Sequence, residues 1–128
     1  MKFLLDTCTF LWLALEPERL SASAIRIIDD PASMLFLSDV RVWEIVLKHT
    51  SGKLPLPDIL HAWLPQQIRH WQLETLPIAQ SALYRSGTLP KVHNDPFDRL
   101  IAASAMESGL TLLSPDLPLS SLGAARIW

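Results

Sequence analysis

Lys2-Phe3-Leu4-Leu5-Asp6-Thr7-Cys8-Thr9-Phe10-Leu11-Trp12-Leu13-Ala14-Leu15 decides the reading of this chain. Lys2 to Leu5 is a short apolar run of the kind a strand buried on both faces requires, and it ends at an acid, Asp6. Thr7 to Leu15 then reads as a helix that is apolar nearly all round and is stopped by Glu16-Pro17. Such a helix belongs in the core or in a subunit contact. The pattern recurs outward from this unit. Ser21 or Ser23 can cap a helix through Ile25, Ile27 and Ile28 that ends before Asp30-Pro31, and Met34 to Leu37 is a second buried run. Ser38 and Asp39 offer capping oxygens to a helix carrying Val42, Trp43, Ile45, Val46 and Leu47, which Ser51-Gly52 ends.

Lys53 to Pro57 is a rigid loop, and Asp58 is expected to open a helix with Ile59, Leu60, Trp63 and Ile68, interrupted by Pro65. Glu74 to Leu76 reads as a short strand and Pro77 to Ser86 as a helix closed by Gly87. Asp95-Pro96 opens the clearest helix, through Leu100, Ile101 and Met106 to Gly109. Thr111 to Leu113 is a third buried strand, and Arg126 to Trp128 is a candidate last one. Buried strands alternating with helices predict an α/β fold with a parallel sheet covered on both faces.

Composition narrows the class. Of 128 residues, 49% are hydrophobic and 19% charged, too apolar for disorder and enough for one cored domain over residues 1–128. The longest apolar run, Cys8 to Leu15, is far short of the roughly 20 residues of a membrane-spanning helix. The N-terminal segment meets an acid at Asp6 and lacks a small-residue cleavage site, so a cytoplasmic protein is expected. One cysteine excludes an internal disulfide, and the four histidines are scattered. A net charge of -2 gives no global basic footprint, so any nucleic-acid role has to be local.

The acids carry the chemistry. In open parallel sheets ligands bind outside the carboxyl ends of the strands. Asp6 follows the first strand, Glu44 lies in the helix fed by the second, Asp98 in the first turn of the Asp95 helix, and Asp116 after the third strand beyond Ser114-Pro115. If they converge, two charges about 5 Å apart repel by about 3 kcal/mol at an effective dielectric near 20. The cluster must take up protons or hold divalent cations. Oxygen ligands without His or Cys suit Mg²⁺ or Mn²⁺, and such a site activates water and stabilises a phosphoryl oxygen. Each acid also has a purely structural reading. Asp95 is an N-cap, with Asp98 suited to the helix dipole; Glu44 can pair with Lys48; Asp6 can cap the helix after it; and Asp116 can be a turn acid.

Phe3-Leu4-Leu5-Asp6-Thr7, the stretch from Ser38 through Trp43-Glu44-Ile45, Asp95-Pro96-Phe97-Asp98-Arg99-Leu100-Ile101-Ala102-Ala103 and Leu113-Ser114-Pro115-Asp116 resemble, in order, the motifs of the PIN domain, and more narrowly the VapC toxins. Gly52-Lys53-Leu54 and Leu89-Pro90 between them add to the likeness. The resemblance implies a three-layer α/β/α fold around a central parallel sheet, and a Mg²⁺- or Mn²⁺-dependent endoribonuclease toxin held inactive by a cognate antitoxin. It maps the three core acids onto Asp6, Glu44 and Asp98 and the variable fourth onto Asp116. Thr7, Ser38 and Ser114 match hydroxyl positions that support the acids or bound water.

Homodimers are usual in that family, and its antitoxins place a basic side chain against the acidic site. Cys8 stands where a polar residue such as His or Asn is more common. Arg41, Lys48, Lys53, Lys91 and Arg99 are the local cations open to an RNA substrate, each read first as a solvated surface residue. Two rival readings are a catalytically degenerate PIN domain that only binds, and a phospho-receiver module. The second lacks support, since Thr7 and Cys8 follow Asp6 where an acidic pair would begin and no Lys occurs beyond Lys91.

Overall fold

The computed structural model describes all residues from 1 to 128. Eleven regular elements alternate along the chain: β1 (Lys2–Leu5), α1 (Thr7–Leu15), α2 (Ala22–Asp29), β2 (Met34–Ser38), α3 (Asp39–Thr50), α4 (Leu60–His70), β3 (Glu74–Leu76), α5 (Gln80–Ser86), α6 (Pro96–Ser108), β4 (Thr111–Leu113) and α7 (Leu117–Ser121), with a last strand, β5 (Arg126–Ile127), closing the sheet. All strand pairs are parallel, in the order β3-β2-β1-β4-β5. The chain therefore builds outward from β1 to β3 and returns to the other side of β1 with β4. That reversal opens a crevice at the carboxyl ends of β1 and β4, where this topology binds ligands.

Alternation along the central strands divides the core in two. Phe3 and Leu5 of β1 and Leu113 of β4 face one layer, packed with Phe10, Leu13, Ala24, Trp63 and Leu64 from α1, α2 and α4. Leu4 and Leu112 face the other, against Ala82 of α5, Ile101, Ala102 and Ala105 of α6, and Leu119 of α7. The expected three-layer α/β/α arrangement is thus present. The nearly all-apolar α1 is accounted for mostly within its own chain. Phe10 and Leu13 are buried, while Trp12 packs on Trp128 and lies under the Arg19 guanidinium.

Several caps act as the sequence predicts. Ser21 caps α2 through Ala24 N–H at 3.0 Å, and Asp95 caps α6 through the N–H groups of Phe97 and Asp98 at 2.8 and 3.1 Å. Gly109 ends α6 with φ +65°, a left-handed conformation that glycine adopts without cost. Two helix starts differ. The helix expected from Asp58 begins at Leu60, because the Asp58 carboxylate accepts from Ile59 N–H at 2.7 Å and holds a turn. Pro65 lies inside α4, where it and His61 are both exposed, so the carbonyl freed by the missing donor faces water. The helix expected from Pro77 begins at Gln80, after an extended Ala79. The five-residue α7 and a 3₁₀ turn at Pro17–Arg19 are too short to leave a periodic signal.

Leu112→Ala empties a fully buried position opposite Leu4 and is expected to cost about 2–5 kcal/mol in denaturant unfolding with an unchanged slope. Leu117→Ala, at a 67% exposed position, should stay within about 0.5 kcal/mol of the parent.

Candidate active site

Strand register brings the first two site residues together. Leu5 of β1 is the partner of Leu113 of β4, so the next residues, Asp6 and Ser114, emerge side by side at the end of the sheet. Ser114 Oγ donates to Asp6 Oδ2 at 2.6 Å and accepts from Asp116 N–H at 3.0 Å, joining the loop after β4 to the first acid. Thr7 N–H donates to Asp6 Oδ1 at 2.8 Å, which also makes Asp6 the cap of α1. Thr7 Oγ1 donates to Glu44 Oε1. The hydroxyls of Thr7 and Ser114 thus support acids, as the resemblance implied. Ser38 Oγ makes no hydrogen bond to the acids and accepts from Val40 N–H at 3.1 Å, capping α3.

Glu44 projects from the second turn of α3 and Asp98 from the first turn of α6. With Asp6 and Asp116 they line one open concavity of about 240 Å³, which Thr7, Cys8, Arg41, Lys48 and Asp95 complete. The four acids predicted to converge do so. A larger cavity of about 330 Å³ lies at the opposite, amino ends of β2 and β3 and holds none of these acids, so chemistry rather than size marks the site.

Two residues of the site escaped the sequence reading. Arg41, expected on the surface, is 1% exposed and sits among the acids. Its Nη2 lies 2.7 Å from Asp6 Oδ1 and 2.9 Å from Asp98 Oδ1, and its Nη1 3.1 Å from Glu44 Oε1. A signal did exist: Arg41 precedes Glu44 by three and buried Ile45 by four, so it shares their helix face. His93 places Nε2 2.8 Å from Asp98 Oδ2. It lies in a loop with no periodicity to betray it. Arg99, also expected on the surface, is a clamp whose guanidinium donates to the carbonyls of Ser86, Leu89, Pro90 and His93 at 2.8–3.0 Å. It fixes the loop that carries His93. Lys48, Lys53 and Lys91 are exposed as expected, and Lys48 reaches Glu44 Oε2 at 3.4 Å.

Proton affinities follow from these contacts. Burial raises that of Asp98, but the hydrogen bonds from His93 and Arg41 outweigh it and hold the carboxyl below its ordinary value. Burial works against the Arg41 charge, yet the neighbouring Asp6 and Glu44 raise its pKa above normal. Asp116 has no cation in contact; burial and the charges of Asp98 and Asp6 push it up. Cys8, whose Sγ faces Asp6 Oδ2 at 3.8 Å, is pushed up to about 12 by burial and then by the Asp6 charge.

The donor set fits a hard divalent cation. Single ligand atoms of His93, Asp98 and Asp116 lie within 4.8 Å of one another, about the span of one ion's coordination shell. His93 adds an imidazole to what sequence alone made an all-oxygen set.

A PIN domain model matches residues 3–123. The chain belongs to the PIN domain family, among its VapC-type members. It is 32% identical to Ribonuclease VapC22 of Mycobacterium tuberculosis over 92% of this chain and 89% of that protein. The solved VapBC2 of Rickettsia felis, bound to a promoter DNA fragment, superposes with a TM-score of 0.76 at 14% identity, covering 99% of this chain and 98% of that one. DNA-bound VapBC from Salmonella typhimurium gives 0.71 at 23% identity, covering 100% and 97%. These two likenesses concern the fold. The matched span takes in Asp6, Glu44, Asp98 and Asp116, which line the concavity at the sheet's carboxyl end.

Asp116→Asn is expected to raise the melting temperature of this PIN domain at pH 7 in chelator, because it removes an acid that folding makes harder to ionise. The folded pKa is raised, so the penalty is full above it and absent below the ordinary value of 3.8. The gain in Asn should therefore shrink as pH falls to that value. A melting temperature unchanged at pH 7 contradicts this account.

Proposed function

We propose that this PIN domain, a single domain spanning residues 1–128, is a Mg²⁺- or Mn²⁺-dependent endoribonuclease toxin that hydrolyses RNA phosphodiester bonds. The observation that carries the reading is the convergence of Asp6, Glu44, Asp98 and Asp116 at the carboxyl ends of β1 and β4. The 32% identical Ribonuclease VapC22 supports the same activity. Asp98, Asp116 and His93, backed by Asp6 and Glu44, would hold the cation. When bound, a divalent ion lowers the pKa of a water and stabilises charge on the phosphoryl oxygen.

The protein's own groups do the rest. Ser114 and Thr7 lock both oxygens of Asp6, so the acid is oriented before substrate arrives. Before a cation binds, His93 and Arg41 keep Asp98 ionised, so that its carboxylate is ready as a ligand. Asp116, whose carboxylate pairs with no other side chain, keeps an oxygen free to accept the proton of the attacking water. Lys48, half exposed on the rim, offers a phosphate its charge. Attack by water in line with the leaving oxygen yields a 5′-phosphate and a 3′-hydroxyl without using the 2′-hydroxyl.

The partner reading follows from the same site. A cognate antitoxin holds the toxin inactive by presenting a basic side chain to the acids, and the solved relatives are VapBC complexes. No helix is long and apolar enough to cross a membrane, and an RNA target suits a cytoplasmic protein. A homodimer is part of the proposal, supported by exposed apolar side chains on α3 and α5, Trp43, Leu47, Leu83 and Tyr84. One observation favours the catalytically silent alternative: Arg41 already neutralises part of the cluster.

Total cellular RNA incubated with the purified chain should be cut with Mg²⁺ or Mn²⁺ and spared with chelator. Asp6→Ala should lose at least about 100-fold in rate with an unchanged circular dichroism spectrum. A substrate with a 2′-deoxy sugar at the cut should still be cleaved. Silence from folded protein free of any copurified partner, or an active Asp6→Ala, sinks the nuclease reading in favour of a binding module. Light scattering at micromolar concentration should report twice the 14.4 kDa chain mass, and a monomer mass contradicts the dimer.

A further inference from the structure

We propose that Arg41 is a built-in cation that takes the place of one divalent ion, so that the acidic site binds a single ion, on the side of Asp116, Asp98 and His93. The inference rests on the metal-dependent reading above and goes beyond it in fixing how many ions bind and where.

Position comes first. The guanidinium contacts three of the four acids, with Nη2 shared between Asp6 Oδ1 and Asp98 Oδ1 at 2.7 and 2.9 Å and Nη1 on Glu44 Oε1 at 3.1 Å. A cation bridging those oxygens would have to occupy the space of the Arg41 fork.

Arg41 is also held in place. Its side chain is 1% exposed, and its Nε is buried without a hydrogen-bond partner, so the group is anchored by its two terminal nitrogens alone. It is tethered to α3 between buried Val40 and the core residue Ile45. Swinging out would strip three carboxylates of their counter-charge in a poorly solvated site, which is strongly unfavourable. Arg41 is therefore a resident charge rather than a gate.

Charge then sets the number. Four acids and one buried guanidinium leave a deficit that one divalent ion nearly cancels, with Lys48 on the rim, 49% exposed and screened, contributing little. A second divalent ion would face both the first and Arg41 at close range.

Geometry finally sets the place. Of the carboxylate oxygens that make no contact with Arg41, Asp6 Oδ2 accepts from Ser114 and Glu44 Oε2 faces Lys48, which leaves Asp98 Oδ2 and the carboxylate of Asp116. His93 Nε2 is 2.8 Å from Asp98 Oδ2, close to the roughly 3 Å between adjacent donors around an ion with bonds of about 2.1 Å.

Mn²⁺ binding to the full chain, followed by calorimetry and by electron paramagnetic resonance of the free ion, tests this without any assay of cleavage. Wild type should bind one ion per chain. Arg41→Met should bind a second ion, or bind Mn²⁺ about tenfold or more tightly, and should gain more in melting temperature from Mn²⁺ than wild type does. Arg41→Lys, which keeps the charge, should remain at one. Two ions per wild-type chain overturn the inference, a count that needs no variant to fold. So does an Arg41→Met protein whose stoichiometry and affinity match wild type. Absence of binding by both wild type and Arg41→Met instead overturns the metal-dependent reading, and this inference with it.

Discussion

Three carboxylates within reach of one another at the end of a sheet cannot all stay ionised out of water unless a cation sits among them. At separations of about 5 Å each pair costs about 3 kcal/mol at an effective dielectric near 20, a large share of a small domain's whole stability. Arg41 meets that constraint for Asp6, Glu44 and Asp98 with three contacts of 3.1 Å or less. The site is consequently ordered and charged in advance, which is what a centre that works by positioning and electrostatics requires. The unpartnered Arg41 Nε shows that the side chain is placed for its neighbours' charges rather than for its own full satisfaction.

The fold delivers these groups through strand polarity and register. Because every strand is parallel, all carboxyl ends lie at one edge, and the reversal beside β1 leaves room there that the helices do not fill. The pairing of Leu5 with Leu113 puts Asp6 beside Ser114, and the Ser114 hydroxyl carries the connection on to Asp116. A second chain of contacts runs from the opposite layer. Arg99 ties the last carbonyl of α5 and three carbonyls of the loop between α5 and α6, the loop holds His93, and His93 meets Asp98. The site thus depends on a residue whose charge never faces it.

Much of this was readable beforehand, for reasons that explain what was not. Buried parallel strands leave unbroken apolar runs, so β1, β2 and β4 stood out, and caps such as Ser21 and Asp95 act within a few residues of themselves. The acids were legible because they follow strand ends, a position with meaning in this topology. Arg41 and Arg99 were misread because a cation's default place is the surface, and only tertiary contacts 57 residues away, or to a neighbouring loop, can override it. His93 carried no local signal at all, being set by that same loop. Ser38 was legible as the cap of the helix that carries Glu44, and its Oγ accepts from Val40 N–H. The helix start moved from Pro77 to Gln80 because extended Pro77–Ala79 precedes it, a choice that local composition does not determine.

The four acids are not equivalent, and their differences divide the labour of the site. Asp6, Glu44 and Asp98 are each held by a hydroxyl, an imidazole or the guanidinium, so their oxygens are fixed and their charges compensated. Asp116 has none of these: its backbone is tied through Ser114, while its carboxylate stays free and is pushed toward protonation by burial and then by the other acids. Compensating it with a contact of its own would make the fold more stable and the group less able to exchange a proton or take a ligand. The uncompensated acid is destabilising for the same reason that it is useful, a tension common at working sites. On the proposed reading, reactivity concentrates at the one carboxylate that Arg41 does not contact, and the buried arginine, by compensating three acids, decides which one that is.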